Sequence, residues 1–404
     1  MKKLAVLLVS LLLWDMSYGA GFALYEFSGR STAMGGAVVA NKAEPASLAT
    51  NPSLITELEG TQAQLGATVV TAHAKTTVNG DARELEKDTW VLPNLYVTHK
   101  WSDEISFGIG AFSRYGLGGT YKNWQTWEGS DLAYKVKLET FSFTPTIAVK
   151  ANDQLSVAMG LEAMTIDFTQ NSRALATPLI DYEIHGTGVS WGGNFSLIYR
   201  PEWAEKWAVG ALYRSKVKQN LDGYIHTSTG TDLSATLRHA PAAGAINLPD
   251  SIATGVSFQA TDNWLMEAGI TGTFWSSYDQ IIIEYTDSET APTIHNKKNY
   301  KDVYRLNFGT EYMLTQHLAA RAGYVFDKSP INKSDMDTLV PVHDRHIVSV
   351  GFGYKAETWN VDFAYAHIFA KDLTGDSNTL SGNKQMKYSE GRSDMFALTF
   401  GYKF

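Results

Sequence analysis

From Thr61 onward, apolar and polar positions alternate with a period of two, in segments broken by clusters of Gly, Asn, Asp and Ser. Period two is the spacing of a β-strand, whose successive side chains point to opposite faces. The last segment is the clearest: Phe396, Leu398, Phe400, Tyr402 and Phe404 share one face, and Ala397, Thr399, Gly401 and Lys403 the other. Phe141, Phe143, Ile147 and Val149 alternate with Thr140, Ser142, Thr144 and Thr146. Trp359, Val361, Phe363 and Tyr365 alternate with Asn360, Asp362, Ala364 and Ala366. Tyr304, Leu306, Phe308 and Tyr312 alternate with Arg305, Asn307, Gly309 and Glu311.

Many of these segments exceed the length of a soluble strand and suit tilted membrane strands. Aromatic residues gather near their ends, as in interfacial girdles. Connections alternate in length: Ala151-Asn152-Asp153 and Ala356-Glu357 are tight, whereas 117–135, 171–184 and 371–390 are long. Short turns on one side and long loops on the other is the outer-membrane pattern. The spacing predicts an all-β fold: a transmembrane antiparallel β-barrel over 59–404. It has about fourteen strands, starting near residues 61, 88, 104, 136, 153, 185, 206, 244, 262, 297, 317, 342, 358 and 391. A soluble sandwich or propeller is the competing architecture, but no blade-length repeat supports it. Pro145 inside a good strand predicts a local bulge, because proline donates nothing to a ladder.

The segment 20–58 lacks the alternation. Gly35-Gly36, Glu44-Pro45 and Asn51-Pro52 punctuate it, and Phe22, Leu24, Phe27, Leu48 and Leu54 give it something to bury. It could be a disordered tail, but these apolar residues make an N-terminal plug inside the barrel the expectation. Before it, Lys2-Lys3, an apolar run from Leu4 to Trp14 and Ser17-Tyr18-Gly19 form the three parts of a secretory signal peptide, residues 1–19. No later window has the ~18 consecutive apolar residues of a membrane helix. Composition agrees: 34 Gly, 20 Tyr, 18 Phe and 11 Trp accompany a mean hydropathy of only -0.18, as expected when one face of each strand is greasy and the other polar. The absence of Cys leaves barrel closure, not disulfides, to stabilise the fold. The net charge of -8 and the lack of a basic stripe argue against a nucleic-acid partner.

Several stretches resemble, in collinear order, the FadL-type outer-membrane long-chain fatty-acid and hydrophobic-compound transporters. Ala20-Gly21-Phe22, Gly29-Arg30-Ser31-Thr32-Ala33-Met34-Gly35-Gly36 and Asn51-Pro52-Ser53-Leu54 are similar to that family's N-terminal hatch. Leu92-Pro93-Asn94, Ser113-Arg114-Tyr115-Gly116-Leu117, Leu248-Pro249-Asp250 and Phe274-Trp275-Ser276 follow. Lys301-Asp302-Val303-Tyr304-Arg305, Asp327-Lys328-Ser329-Pro330-Ile331 and Val342-His343-Asp344-Arg345-His346 complete the series. The resemblance implies a fourteen-stranded barrel and a plug with Gly35, Gly36, Asn51 and Pro52 at its turns. It also implies capture of hydrophobic compounds at long external loops, passage through the lumen, and lateral exit where the third strand kinks, near Arg114 and Gly116. The family's usual Asn-Pro-Ala reads Asn-Pro-Ser here, and Arg114 stands where a smaller polar residue is expected, so it is a candidate to narrow or gate the exit.

Other chemistry is weakly supported. Gly188-Val189-Ser190-Trp191-Gly192 matches a hydrolase elbow, but that motif needs a strand-to-helix turn, and here a strand continues past it. His343 and His346, three apart, would point to opposite faces of a strand, so no metal site and no cofactor are called for. Asp335 and Asp337 read as solvated loop acids. By parity, Lys301, Arg305, Asn307 and Glu311 point into the lumen, where polar side chains are ordinary. One of Lys301 and Arg305 is a candidate to hold a fatty-acid carboxylate, with Phe22 and Leu24 near the tail. An aromatic-hydrocarbon channel, a general porin, an outer-membrane phospholipase and an adhesive barrel remain the alternatives. The expected partners are the cargo, outer-membrane lipids and the barrel-assembly machinery, with a monomeric protein.

Because Phe404 ends an outward apolar ladder, deleting it is expected to reduce the amount of protein inserted in the outer membrane. Quantitative blotting of membrane fractions checks this, and unchanged insertion contradicts the proposed role of the terminal strand.

Overall fold

The computed structural model describes residues 21–174, 180–228, 239–287, 293–334, 336–341, 343–375 and 383–404. The expected signal peptide, Ala20, Asp335, Val342 and part of the 371–390 loop lie outside the described residues.

Fourteen staves form a closed antiparallel barrel. In chain order they are β1 (Thr61–Val78), β2 (Thr89–Lys100), β3 (Ile105–Phe112, continuing as Gly116–Thr120), β4 (Lys135–Lys150), β5 (Leu155–Ala174), β6 (Ile180–Tyr199) and β7 (Trp207–Arg214, then Val217–Ser228). They continue with β8 (His239–Leu248, then Ser251–Thr261), β9 (Trp264–Thr273, then Gln280–Tyr285), β10 (Ile294–Lys297, then Val303–Met313), β11 (Leu318–Asp327), β12 (Arg345–Lys355), β13 (Trp359–Ala370) and β14 (Met386–Lys403). The sheet closes where β1 meets β14, from Gln62↔Lys403 to Val78↔Met386. Closure removes the exposed edge that an open sheet would present to lipid.

Strand boundaries differ from the alternation pattern mainly at the loop end. The segment 171–184, expected as a long loop, is mostly ladder: β5 and β6 stay paired out to Ala174↔Ile180. On the β5 side Asn171-Ser172-Arg173 has no apolar residue to mark a strand, although Ile180, Tyr182 and Ile184 alternate with Asp181, Glu183 and His185 on the β6 side. Pro145 makes no bulge either. The β4–β5 ladder runs to Phe143↔Ala163 and resumes at Thr146↔Gly160 in the same register. The missing N–H interrupts two pairs, and the intact ladder on the β3 side, Ile109↔Pro145, holds the strand straight.

The outer face is an apolar belt that includes exposed Leu65, Phe107, Trp191, Phe308, Phe352 and Leu398. Trp101, Trp203, Trp264, Trp359 and Tyr402 lie toward the short-turn end, where an aromatic girdle meets the periplasmic interface. The interior has two layers. Toward the long loops it is apolar, with Tyr121, Trp127, Leu138, Ile225, Ile283 and Leu339 in one buried cluster. Toward the short turns it is filled by residues 21–58, which carry α1 (Gly29–Ala33), α2 (Ser47–Thr50) and a 3-10 turn (Pro52–Glu57).

The inner segment folds locally for identifiable reasons. Ser28 caps α1 by accepting from Ser31 N, and Gly35 and Gly36 take φ of 61° and 78° to turn the chain back. Asn51 caps the 3-10 turn, with Pro52 in its first turn where no N–H is needed. Backbone meets backbone at the wall: a Cβ on Gly323 would lie 2.3 Å from Gly35 N and 2.4 Å from Met34 C. Gly323→Val is therefore expected to leave the barrel's β-type circular dichroism intact while displacing the inner segment. Faster limited proteolysis within 21–58 is the check, and an unchanged cleavage pattern contradicts the close packing.

Candidate transport site

The wall is incomplete between β2 and β3. Strand β2 pairs with β3 only from Leu95↔Ala111 to Lys100↔Ser106. Beyond Phe112, β3 bends inward, and its continuation Gly116–Thr120 forms its ladder with β4, from Gly116↔Glu139 to Thr120↔Lys135, and no ladder with β2. The half of β2 from Thr89 to Asn94 keeps its β1 partners but faces a gap on its other side. The inward bend is visible in one contact: a Cβ on Gly118 would lie 2.6 Å from the Trp90 indole nitrogen. Pro93 sits on this bare edge, where a missing N–H costs nothing.

A cavity of about 1040 Å³ runs through this gap. Its inner lining includes Phe22, Leu24, Tyr115, Leu138, Ile347 and Met395. The same cavity also touches Val91, Phe141 and Val189, which point toward lipid. It thus joins the apolar interior to the membrane-facing side of the barrel. At its inner end Phe22 packs edge-on against Trp275 at 4.7 Å, Tyr278 at 5.3 Å and Tyr115 at 6.0 Å between ring centroids. The N-terminal segment acts as an extra strand on the kink: Leu24 N donates to Arg114 O, and Gly116 N to Phe22 O.

Below, lumen side chains seat the inner segment. Glu311 binds Arg30 at 3.0 Å, Lys42 at 2.7 Å and Arg321 at 2.7 Å, and Arg321 also reaches Asp362 at 2.6 Å. Glu267 accepts from the amides of Val39 (2.7 Å) and Ala40 (3.1 Å). Asn51 Nδ2 donates to Val39 O and to Leu197 O, tying the turn to β6. Arg305 Nη2 donates to Gly35 O at 3.3 Å, and its guanidinium lies 4.2 Å from the Tyr25 ring centroid.

The structure brings Phe22, Leu24 and Gly116 together at the cavity, and buries Arg305, Asn307 and Glu311 in the lumen as parity expects. Lys301 is different: it is exposed, because β10 is interrupted between Lys297 and Val303 and the irregular stretch there, with Asn299 at φ 49°, breaks the parity. Arg114 was expected to point into the exit and narrow or gate it. It turns inward, buried, and pairs with Glu162 at 2.7 Å. Asp337 is not a solvated loop acid but pairs with buried Lys298 at 2.7 Å. Sequence reasoning missed Glu162, Arg214, Glu267 and Lys298, charges in a strand or loop whose partners are distant in sequence.

Ser190 lies within continuous β6, so the elbow geometry is absent there. His346 bonds the Tyr324 hydroxyl at 2.7 Å, and His343 lies 3.8 Å from Asp344. His73, Glu84 and Glu390 gather within 4.8 Å, but Lys75 and Lys122 already pair with the two carboxylates.

A closed barrel with a filled lumen and an apolar passage to the lipid defines an outer-membrane transport protein for hydrophobic compounds. The chain belongs to the outer membrane protein transport protein (OMPP1/FadL/TodX) family, whose model matches residues 11–404. It is 26% identical to a long-chain fatty acid transport protein of Salmonella typhi over 99% of this chain and 97% of that one. It is 22% identical to a putative outer membrane protein of Neisseria meningitidis serogroup B over 96% of this chain and 94% of that one. Among solved structures, a Pseudomonas aeruginosa FadL homologue superimposes with a TM-score of 0.82 at 19% identity, covering 96% of this chain and 100% of that one. The Pseudomonas putida toluene transporter TodX gives 0.74 at 17% identity, covering 95% and 99%.

Glu311 is the hub of the seat, so Glu311→Gln leaves buried cations uncompensated and is expected to cost about 3–5 kcal/mol. Lys42→Ala, whose side chain is 48% exposed, should cost far less. Thermal loss of the compact form on unheated gels compares the two, and equal effects contradict the hub.

Proposed function

We propose that this protein takes up long-chain fatty acids across the outer membrane and releases them sideways into the bilayer. The carrying observation is the continuity of the cavity from the apolar lumen through the β2–β3 gap to lipid-facing residues. Its volume, about 1040 Å³, lies at the top of the ~300–1,000 Å³ range of small-molecule sites and suits a long chain better than one aromatic ring. Each buried methylene contributes ~0.8 kcal/mol, so a long tail binds strongly in such a lining. The fatty-acid transport relatives, matched over nearly their whole length, favour the same cargo.

In this reading the long loops collect cargo over the apolar upper lumen, and the tail settles against Phe22 and Leu24. A shift of the segment carrying Phe22–Leu24, which is bonded to the kink, clears the path past Gly116 and Gly118. Residues 28–58, held by Glu311, Glu267 and Asn51, keep the lumen filled and distinguish the protein from an open aqueous pore.

Binding of a C16 fatty acid, toluene and naphthalene by the detergent-solubilised protein tests the cargo. Tighter binding of the fatty acid is expected, and tighter binding of the aromatics assigns a hydrocarbon channel instead. Gly118→Phe puts a ring beside Trp90 in the wall gap. It is expected to lower cellular uptake at least ~10-fold while leaving binding by the isolated protein within about threefold, a difference under 1.4 kcal/mol. Unimpaired uptake by this variant contradicts lateral exit.

A further inference from the structure

A second, smaller cavity of about 70 Å³ lies beside the large one and shares Ala23, Leu24 and Tyr115 with it. Three guanidiniums line it: Arg114 of the kink, Arg214 of β7 and Arg305 of β10, only 5%, 4% and 6% exposed. Their counter-charges do not balance. Glu162 lies 2.7 Å from Arg114 but 3.9 Å from Arg214. Asp327 lies 2.7 Å from Arg345 but 3.6 Å from Arg305. Glu162 and Asp327 thus each serve two guanidiniums, Glu26 adds a further negative charge near Arg345, and the two arginines left at longer range are Arg214 and Arg305.

Those two also carry unmet hydrogen-bonding capacity. Arg214 Nη1 and Arg305 Nη1 are buried and make no hydrogen bond, and neither does Ser31 Oγ on the same lining. Arginine stays protonated, so it does not escape burial by losing its charge. Arg214 is relieved in part by the carbonyls of Leu48 and Ala49 at the end of α2, at 3.3 and 3.0 Å. Arg305 is relieved in part by Gly35 O and the Tyr25 ring. Carbonyls and ring faces supply partial charges only, and an incompletely paired buried cation is costly.

We propose that this cavity is an anion site, in which Arg214 and Arg305 hold a carboxylate-sized anion and Ser31 Oγ donates to it. The volume is several times the ~10–15 Å³ that one water needs and too small for an acyl tail. The shared chemistry is a single negative charge on a compact group. It comes either from the carboxylate end of the cargo or from a free small anion. The first source rests on the fatty-acid reading above; the second does not. Ala23, Leu24 and Tyr115 line both cavities, so a carboxylate in the large one reaches the arginines when the segment carrying Ala23 and Leu24 shifts.

The test uses the full chain in detergent with bromide, a C16 fatty acid and its methyl ester as probes. Crystals grown with bromide are expected to show an anomalous peak in contact with Arg214 and Arg305. The acid is expected to bind about 10- to 100-fold tighter than the ester, with bromide competing against the acid and not the ester. Arg214→Gln and Arg305→Gln should each remove that preference while ester binding stays within about threefold. Arg305→Lys, which keeps the charge, should retain most of it and reports on the site if a Gln variant fails to fold. Bromide bound without competition makes a free anion the occupant and keeps the site. Absence of bromide together with equal binding of acid and ester overturns it. Bromide bound with neither acid nor ester binding sinks the fatty-acid reading and leaves the anion site standing.

Discussion

Every backbone N–H and C=O of a membrane-spanning chain must find its partner within the protein, because hydrocarbon supplies none. The rest of this structure follows from that constraint. It accounts for the closed sheet, the seam from Gln62↔Lys403 to Val78↔Met386, and the absence of a need for disulfides. It also shows why the break between β2 and β3 is informative. Irregular backbone at membrane depth persists where it lines a cavity or is buried in protein. Here both apply: the kink is covered from inside by the backbone of Phe22–Leu24, and its far edge opens onto the large cavity.

The two layers of the lumen divide the physical work. The loop-side half is apolar and offers binding without direction, since hydrophobic burial is not directional. The turn-side half is built of ion pairs and charge-assisted hydrogen bonds, which are directional and fix one arrangement of residues 28–58. Buried pairs of this kind add little net stability over an apolar filling, so geometric specification is the better account of their presence. Phe22 joins the loop-side apolar cluster, and Leu24 lies beside it on the large cavity. They bond only to the kink and pack among aromatic rings, which makes them the part of the inner segment with the fewest ionic ties.

The barrel was legible in the sequence because a period-two pattern with one greasy face has few other structural meanings, and the last strand, Phe396 to Phe404, shows it plainly. Lumen parity was legible wherever a strand runs unbroken, as at Arg305, Asn307 and Glu311. It failed at Lys301 because parity counting assumes an unbroken strand, and β10 is interrupted between Lys297 and Val303. The direction of Arg114 was illegible for a related reason: a kink rotates its side chains out of the phase set by the strand before it. The partners Glu162 and Arg214 were invisible because each sits 48 or more positions from the residue it serves, and a single charge carries no address.

Glycines along the wall have a consequence of another kind. Gly210, Gly309, Gly323 and Gly351 bring the barrel within contact of Val39, Met34, Gly35 and Ala33, so closely that a Cβ would collide. Wall and filling are therefore shaped as one casting. A change on either side demands a matched change on the other, across stretches of chain far apart in sequence. The inner segment is not an exchangeable cartridge: set against a wall with a side chain at any of these positions, it would collide with it. The two parts of this chain can drift in sequence only together.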